Sequence, residues 1–489
     1  MQLHLAVCGL ALCLLASASG PACARRVGLD SDGMSKVDGQ RMLVLGCYEN
    51  PGTDAGLAEL ADAGFNLVAA SSVESLGQLA AHGLFGWVNL GGDLDLSGDT
   101  DRRSHALSGR VEQLRSHPAL LVWEGPDEAL WNICYGPLMR DRQELRQLRE
   151  TIQQRADEGH DVTALTAALA RFESAFDEAD YERQAIFRRE LYDLLGEQPP
   201  AVEHTLAEAP ARARAAAQGF LEGYHLLKRL DPDHPLWFNH APRNSIAALA
   251  EFNRACDISG CDIYPVPEGV NHSDLRDRSL ASVGAYTERM ALASGGKPVW
   301  MVLQGFGWYD EGSPEQKKAD PGGRERGRRP RYKETRFMAY DALVHGATGI
   351  LYFGTYLVEK DSEFWADLKR VVGELAALRP LWETPALTWR PGVEIIESGP
   401  SFERGIQVMA KSYQGELYLL VVNEESESAS FVLHGMDAYE KTAFHRLFEG
   451  DAVVVKDAAL ADSISCRGVS IYTNGTAFDE QAARMRPKG

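Results

Sequence analysis

Eight apolar runs of strand length recur between residues 42 and 353, and helix-like segments separate most of them. This alternation leaves few folds open. The runs lie at 42–46, 65–70, 85–90, 119–123, 235–239, 258–264, 299–303 and 349–353. Helical periodicity places helices at 54–63, 73–82, 102–117, 207–230, 333–345 and 363–378. Near-continuous apolar strands alternating with helices predict a parallel sheet covered on its outer face. Repeated eight times between about residues 40 and 385, the pattern fits an α/β chain folded as a (β/α)₈ barrel better than an open doubly wound sheet. No glycine-rich phosphate fingerprint follows the first run, which removes the usual nucleotide-binding alternatives.

Two segments depart from the repeat. More than a hundred residues separate the fourth run from the fifth, where a simple unit needs about 30. Residues 140–159 and 161–195 are charged and helix-favouring, so a helical hairpin is expected as an insertion at 137–200. It reads either as a solvated arm or as a lid or homodimer contact. After Pro380 the pattern turns to short β-rich runs at 393–396, 405–409, 417–422, 430–433, 442–448 and 468–472. These predict an antiparallel β-sandwich over 390–478.

Composition narrows the partners. A formal charge of −20 over 489 residues argues against nucleic acid and anionic membrane. Residues 1–24 read as a cleaved secretory signal, with an apolar run over 5–16 and Ala22-Cys23-Ala24 as an A-x-A-like site. The mature chain is therefore expected to be secreted or periplasmic. Beyond that leader no segment has the length of a membrane span. Cys47, Cys134, Cys256, Cys261 and Cys466 remain, an odd and scattered set with neither a disulfide framework nor zinc spacing. Cys256 and Cys261 read as buried thiols, with a disulfide between them in an oxidising compartment as the alternative, and no metal or organic cofactor is expected.

The chemistry is expected around residues 119–131, ALLVWEGPDEALW. A buried strand runs through Glu124 into the turn at Gly125-Pro126, and two adjacent acids follow, Asp127 and Glu128, flanked by Trp123 and Trp131. Burial raises the pKa of one acid so that it holds a proton at working pH, and indoles offer flat faces for a sugar ring. A solvated acidic turn is the bland alternative. Reactive groups of a barrel gather at the carboxyl ends of its strands. Those ends add Tyr48 with Glu49, Ser71, Asn89, Asn239 with His240, Asp262 with Tyr264, Gln304 with Trp308, and Tyr352. Carboxylates, amides and aromatics of this kind hydrogen-bond hydroxyls and stack on sugars, although any one of them alone reads more readily as a satisfied strand-end group.

The GPDE segment resembles the W-x-x-N-E-P region of the (β/α)₈ clan of retaining glycoside hydrolases. Asp262-Ile263-Tyr264-Pro265 and the segment 331–353 are also similar to β-galactosidase-like barrels. The resemblance implies a carbohydrate substrate, with Glu128 as acid/base. Asp127 stands where the clan has an Asn that contacts the sugar. The clan's nucleophilic Glu at strand seven is replaced by Gln304, which cannot form a glycosyl ester. Three substitutes are open: Asp262 as second carboxylate, with inversion if about 6.5–9.5 Å separates it from Glu128; substrate assistance, with Asp127 orienting an acetamido group; or Asp310 or Glu311 from the following loop. A catalytically silent glycan-binding barrel is the competing reading.

Overall fold

The computed structural model describes residues 25–485 except 178–180, 201–207, 243, 270–276, 320–321 and 398–403. The leader read at 1–24 lies outside the described residues. The described chain opens with a small antiparallel sheet of β1 (Val27–Leu29), β2 (Ser35–Val37) and β3 (Gln40–Met42). The barrel then begins with β4 (Val44–Cys47), α1 (Asp54–Ala63), β5 (Leu67–Ala69), α2 (Val73–Ala81), β6 (Phe85–Asn89), α3 (Thr100–Leu114) and β7 (Leu120–Glu124). An arm follows, made of α4 (Ala129–Asp157), α5 (Thr163–Asp177) and α6 (Tyr181–Leu195).

The chain returns to the barrel through α7 (Ala209–Leu230), β8 (Leu236–His240), α8 (Ile246–Phe252), β9 (Ile258–Ile263), α9 (Ser282–Ser294) and β10 (Val299–Gln304). Next come α10 (Pro314–Ala319), α11 (Gly323–Arg326), α12 (Tyr332–Val344), β11 (Gly349–Phe353), α13 (Glu363–Ala377) and α14 (Arg379–Trp382). The eight parallel strands close in the order β10-β11-β4-β5-β6-β7-β8-β9. Helix starts follow the local sequence: Thr53, Ser72 and Ser362 each accept a backbone N–H at the first turn of α1, α2 and α13.

Strand periodicity of two decides which side chains enter the barrel. Trp87, Trp237 and Trp300 point inward, with ring centroids 6.3 Å apart for the first pair and 5.6 Å for the second. Such bulk fits because small residues face it. A Cβ on Gly349 would stand 2.6 Å from the Trp300 ring, and one on Gly260 would run into the Trp237 indole. All three indoles are nearly or fully buried, and truncating one costs about 3–5 kcal/mol.

The arm holds three helices where a hairpin is expected. Its private core takes Leu145, Leu148 and Ile152 from α4, Leu165 and Phe172 from α5, and Leu191 from α6. One continuous helix over 161–195 would carry its apolar residues away from that core, whereas folding back buries them.

The C-terminal region comprises β12 (Gly392–Glu397), β13 (Ile406–Tyr413), β14 (Glu416–Asn423), β15 (Ala429–His434), β16 (Ala443–Arg446), β17 (Ala452–Val454), β18 (Ala459–Ile464), β19 (Val469–Thr473) and α15 (Asp479–Met485). They form two antiparallel sheets, β13-β14-β19-β16-β17 and β12-β15-β18, arranged like a β-sandwich. Residues 417–422 of β14 are apolar because both of its faces are covered. Leu417, Leu419 and Val421 enter the core between the sheets, while Tyr418, Leu420 and Val422 join the barrel core. Strands β17 and β18 have no counterpart in the sequence expectations, since their residues are short, mixed and partly exposed. Cys47, Cys256, Cys261 and Cys466 are free thiols, the first three buried.

Candidate active site

The same two-residue alternation builds the mouth of the barrel. Val122 and Trp123 lead β7 to Glu124, whose side chain turns inward and is fully buried. Gly125 follows because the Phe238 ring lies where a Cβ would stand. Pro126 and Asp127 complete the turn, and Glu128 precedes α4 in a left-handed conformation with φ of 47°. A non-glycine residue there is strained, by about 1–3 kcal/mol. The surroundings hold it in place: its N–H donates to the Asn239 carbonyl at 3.1 Å, and its carbonyl accepts the Asn132 N–H at 3.0 Å. The strain aims the Glu128 carboxyl into the mouth.

Four carboxyl groups meet there. Asp262, on β9, is buried close enough to Glu128 for the two carboxyls to share a hydrogen bond, and Tyr264 lies beside it. Burial first, then the Asp127 charge, push Glu128 up to about 7, and the Asp262 bond opposes them. Burial also drives Asp262 well above the usual carboxylate range, reinforced by the Glu128 and Asp127 charges. Both carboxyls are therefore held above the ordinary carboxylate range, Glu128 to about 7. The two behave as one coupled pair.

Asp127 accepts a hydrogen bond from Asn239 Nδ2 at 2.9 Å. Crowding by the walls raises its pKa and that bond lowers it. The residue is exposed at the rim, so water screens part of this effect. Glu124 is the member the sequence expectations passed over as a catalytic group. Its Oε2 accepts Asn89 Nδ2 at 2.6 Å and its Oε1 accepts the Tyr48 hydroxyl at 3.2 Å. Burial raises its pKa strongly. The sequence signal was an acid closing an apolar strand, and strand register in the fold gives it its inward direction.

Aromatic rings wall the mouth. Tyr48 packs on Trp87 with centroids 5.0 Å apart, and Tyr264 stacks on Phe353 at 5.7 Å. Trp308 leans edge-on against Tyr264 at 6.1 Å. Several buried polar atoms here have no hydrogen-bond partner: Asn239 Oδ1, Asp262 Oδ1, Trp87 Nε1 and Trp308 Nε1. Buried polar atoms are normally paired, so a cluster of unpaired ones beside aromatic faces marks a place where a polar ligand fits.

Other strand-end residues lie elsewhere. His240 points to the outer side of β8, where its Nε2 meets Asn253 Oδ1 at 3.0 Å and its ring packs on Phe238 and Phe252. Burial holds its pKa down to about 4, so it stays neutral. Tyr352 is likewise outward-facing, packed edge-on against Phe65 at 6.4 Å, and its neighbour Phe353 enters the mouth instead. Trp123 donates to Asp231 at 2.8 Å behind β7.

Gln304 faces inward but its amide is fully engaged. Its Oε1 accepts the Val266 N–H at 2.8 Å, and its Nε2 donates to the Val266 and Phe306 carbonyls at 2.9 and 3.1 Å. Asp310 is tied to Arg329 at 2.7 and 2.9 Å and to the Gly307 N–H at 2.7 Å. Glu128 and Asp262 are close enough to influence each other's proton affinity, whereas inversion calls for a gap of about 6.5–9.5 Å between its two carboxyls.

No family model and no curated protein matches the chain. Its fold is similar to that of Gan42B, a GH42 β-galactosidase from G. stearothermophilus, with a TM-score of 0.51 at 12% identity, covering 92% of this chain and 99% of that one. A β-galactosidase from Bacillus circulans sp. alkalophilus gives a TM-score of 0.50 at 10% identity, covering 89% and 99%. At such identities the similarity shows a shared barrel architecture.

Proposed function

We propose that the chain is an exported glycoside hydrolase acting on an oligo- or polysaccharide, with Glu128 as its proton donor. The observation that carries this reading is the Glu128–Asp262 carboxyl pair, held at the aromatic mouth with Glu128 titrating near 7. Such an acid holds a proton at working pH and still releases it readily. In the proposed reaction Glu128 protonates the glycosidic oxygen, the bond to the anomeric carbon breaks, and positive charge grows on the ring. Tyr48, Tyr264 and Trp308 supply the walls, and the free Asn239 Oδ1 accepts from a sugar hydroxyl.

The second half of the reaction needs a nucleophile. Asp262 is held well above the usual carboxylate range beside Glu128, and strand β10 presents an engaged amide at Gln304. Asp127 stands beside Glu128, anchored by Asn239. This supports substrate assistance: the oxygen of a 2-acetamido group attacks the anomeric carbon while Asp127 orients its N–H. Water then opens the ring so formed, with Glu128 taking back the proton. The substrate class is accordingly an N-acetylhexosaminide.

A panel of unactivated glycosides tests this, with reducing-sugar release compared between wild type and Glu128→Gln. Release that needs Glu128 and slows when the acetamido group is fluorinated supports the mechanism. Release that survives the substitution refutes it. The engaged Gln304 favours a second reading, a barrel that recognises glycan without cutting it. Binding with no release on any glycan selects that one.

A further inference from the structure

Three ligand-type side chains meet far from the mouth, where the barrel touches the C-terminal sheets. Asp341 and His345 sit one turn apart on α12, and Glu424 immediately follows β14. His345 Nε2 lies 3.1 Å from Glu424 Oε1 and 3.7 Å from Asp341 Oδ1. One ligand atom from each residue falls within 4.8 Å of the others.

The second atom of every member is already held. The Gly284 N–H donates to Asp341 Oδ2 at 2.7 Å, and Gln407 Nε2 donates to Glu424 Oε2 at 3.0 Å. His345 Nδ1 meets Glu288 Oε1 at 2.9 Å, which fixes the ring and directs Nε2 toward the cluster. Asp341 is fully buried, and its remaining oxygen, Oδ1, has no hydrogen-bond partner. A carboxylate behind an imidazole that faces two further carboxylates is the outer-shell arrangement of metal-binding histidines.

We propose that Asp341, His345 and Glu424 bind a divalent cation, zinc best by its ligand chemistry, which pins the C-terminal sheets to α12. Zinc about 2.0–2.1 Å from each ligand spaces tetrahedral ligand atoms at about 3.3 Å, between the 3.1 and 3.7 Å separations present here. One nitrogen and two oxygens suit zinc over calcium or magnesium, which take oxygen alone. The ion offsets two buried carboxylates that Arg467 does not bond directly, since Arg467 donates to the Glu424 carbonyl and pairs with Glu268 at 2.7 Å. The rival occupant is a proton on His345, making a plain ion pair with Glu424.

Zinc alone is the probe, added to the chelator-stripped full chain, with bound metal and melting temperature as readouts. A single tightly held zinc that raises the melting temperature is expected. Asp341→Asn keeps an oxygen for the Gly284 N–H and should fold, while losing at least about tenfold in zinc affinity. Glu288→Gln, at an exposed position, should weaken binding about 10–100-fold without disturbing the fold. No zinc retained by wild type, or equal retention by wild type and both variants, overturns the proposal and leaves the proton-held pair. None of these readouts depends on glycoside hydrolysis.

Discussion

Asp262 and Glu128 face each other at the barrel mouth closely enough for the Glu128 charge to raise Asp262, joining the end of β9 to the strained turn before α4. In the proposed reaction this pair supplies the proton for the glycosidic oxygen, through Glu128. Removing that proton should matter most. Glu128→Gln is expected to cut hydrolysis by about 10²–10⁴-fold with little change in substrate binding. Steady-state kinetics on an unactivated substrate separate the two effects.

The Asp127 charge is one of the influences that raise Glu128. Asp127→Asn removes that charge yet keeps an oxygen for Asn239 Nδ2. Glu128 should then lose its proton at lower pH, moving the alkaline limb of the rate profile below its wild-type position near 7. A limb that stays in place, or moves upward, would show that Glu128 is not the titrating acid.

The same shift carries a stability signature. Glu128 rises from an ordinary 4.5 to about 7 in the folded chain, so the folded state binds its proton more tightly than the unfolded state does. That contribution is fully present below pH 4.5 and is lost as pH rises through 7. Glu128→Gln has no proton to lose and should gain about 1–2 kcal/mol over wild type at pH 8, after discounting for solvent at the mouth. Denaturant titrations at pH 4 and pH 8 read the difference.

Restoring a carboxylate at strand seven should not create a nucleophile. In Gln304→Glu the donor to the Val266 and Phe306 carbonyls disappears, and a charge enters a fully buried position. The expected outcome is a loss of about 2–4 kcal/mol in stability with no gain in turnover. An active, undiminished variant would contradict the role given to this amide.

Barrel packing is testable at Gly260. An added methyl meets the Trp237 indole and the Trp300 carbonyl, neither of which has room to retreat. Gly260→Ala should destabilise by about 1–3 kcal/mol, visible as a lower unfolding midpoint at unchanged slope.

The alternation of apolar runs and helices in the sequence determined the eight-stranded core, because burial on both faces demands continuous hydrophobicity. It also placed Asp127, Glu128 and Asp262 at strand ends. Inward or outward direction is a further matter. A one-residue choice of pleat sends Glu124 and Phe353 into the mouth and His240 and Tyr352 out of it, and only strand register sets that choice. The contact between Glu128 and Asp262 joins elements more than a hundred residues apart. No local spacing encodes it, and neither does any foretell the meeting of Asp341 and His345 with Glu424. The strands and their carboxyl-end acids were thus legible in the chain itself. Which acids share a proton, and which are absorbed in holding loops, was decided by tertiary packing alone, since proton affinity depends on neighbours that only the folded barrel supplies.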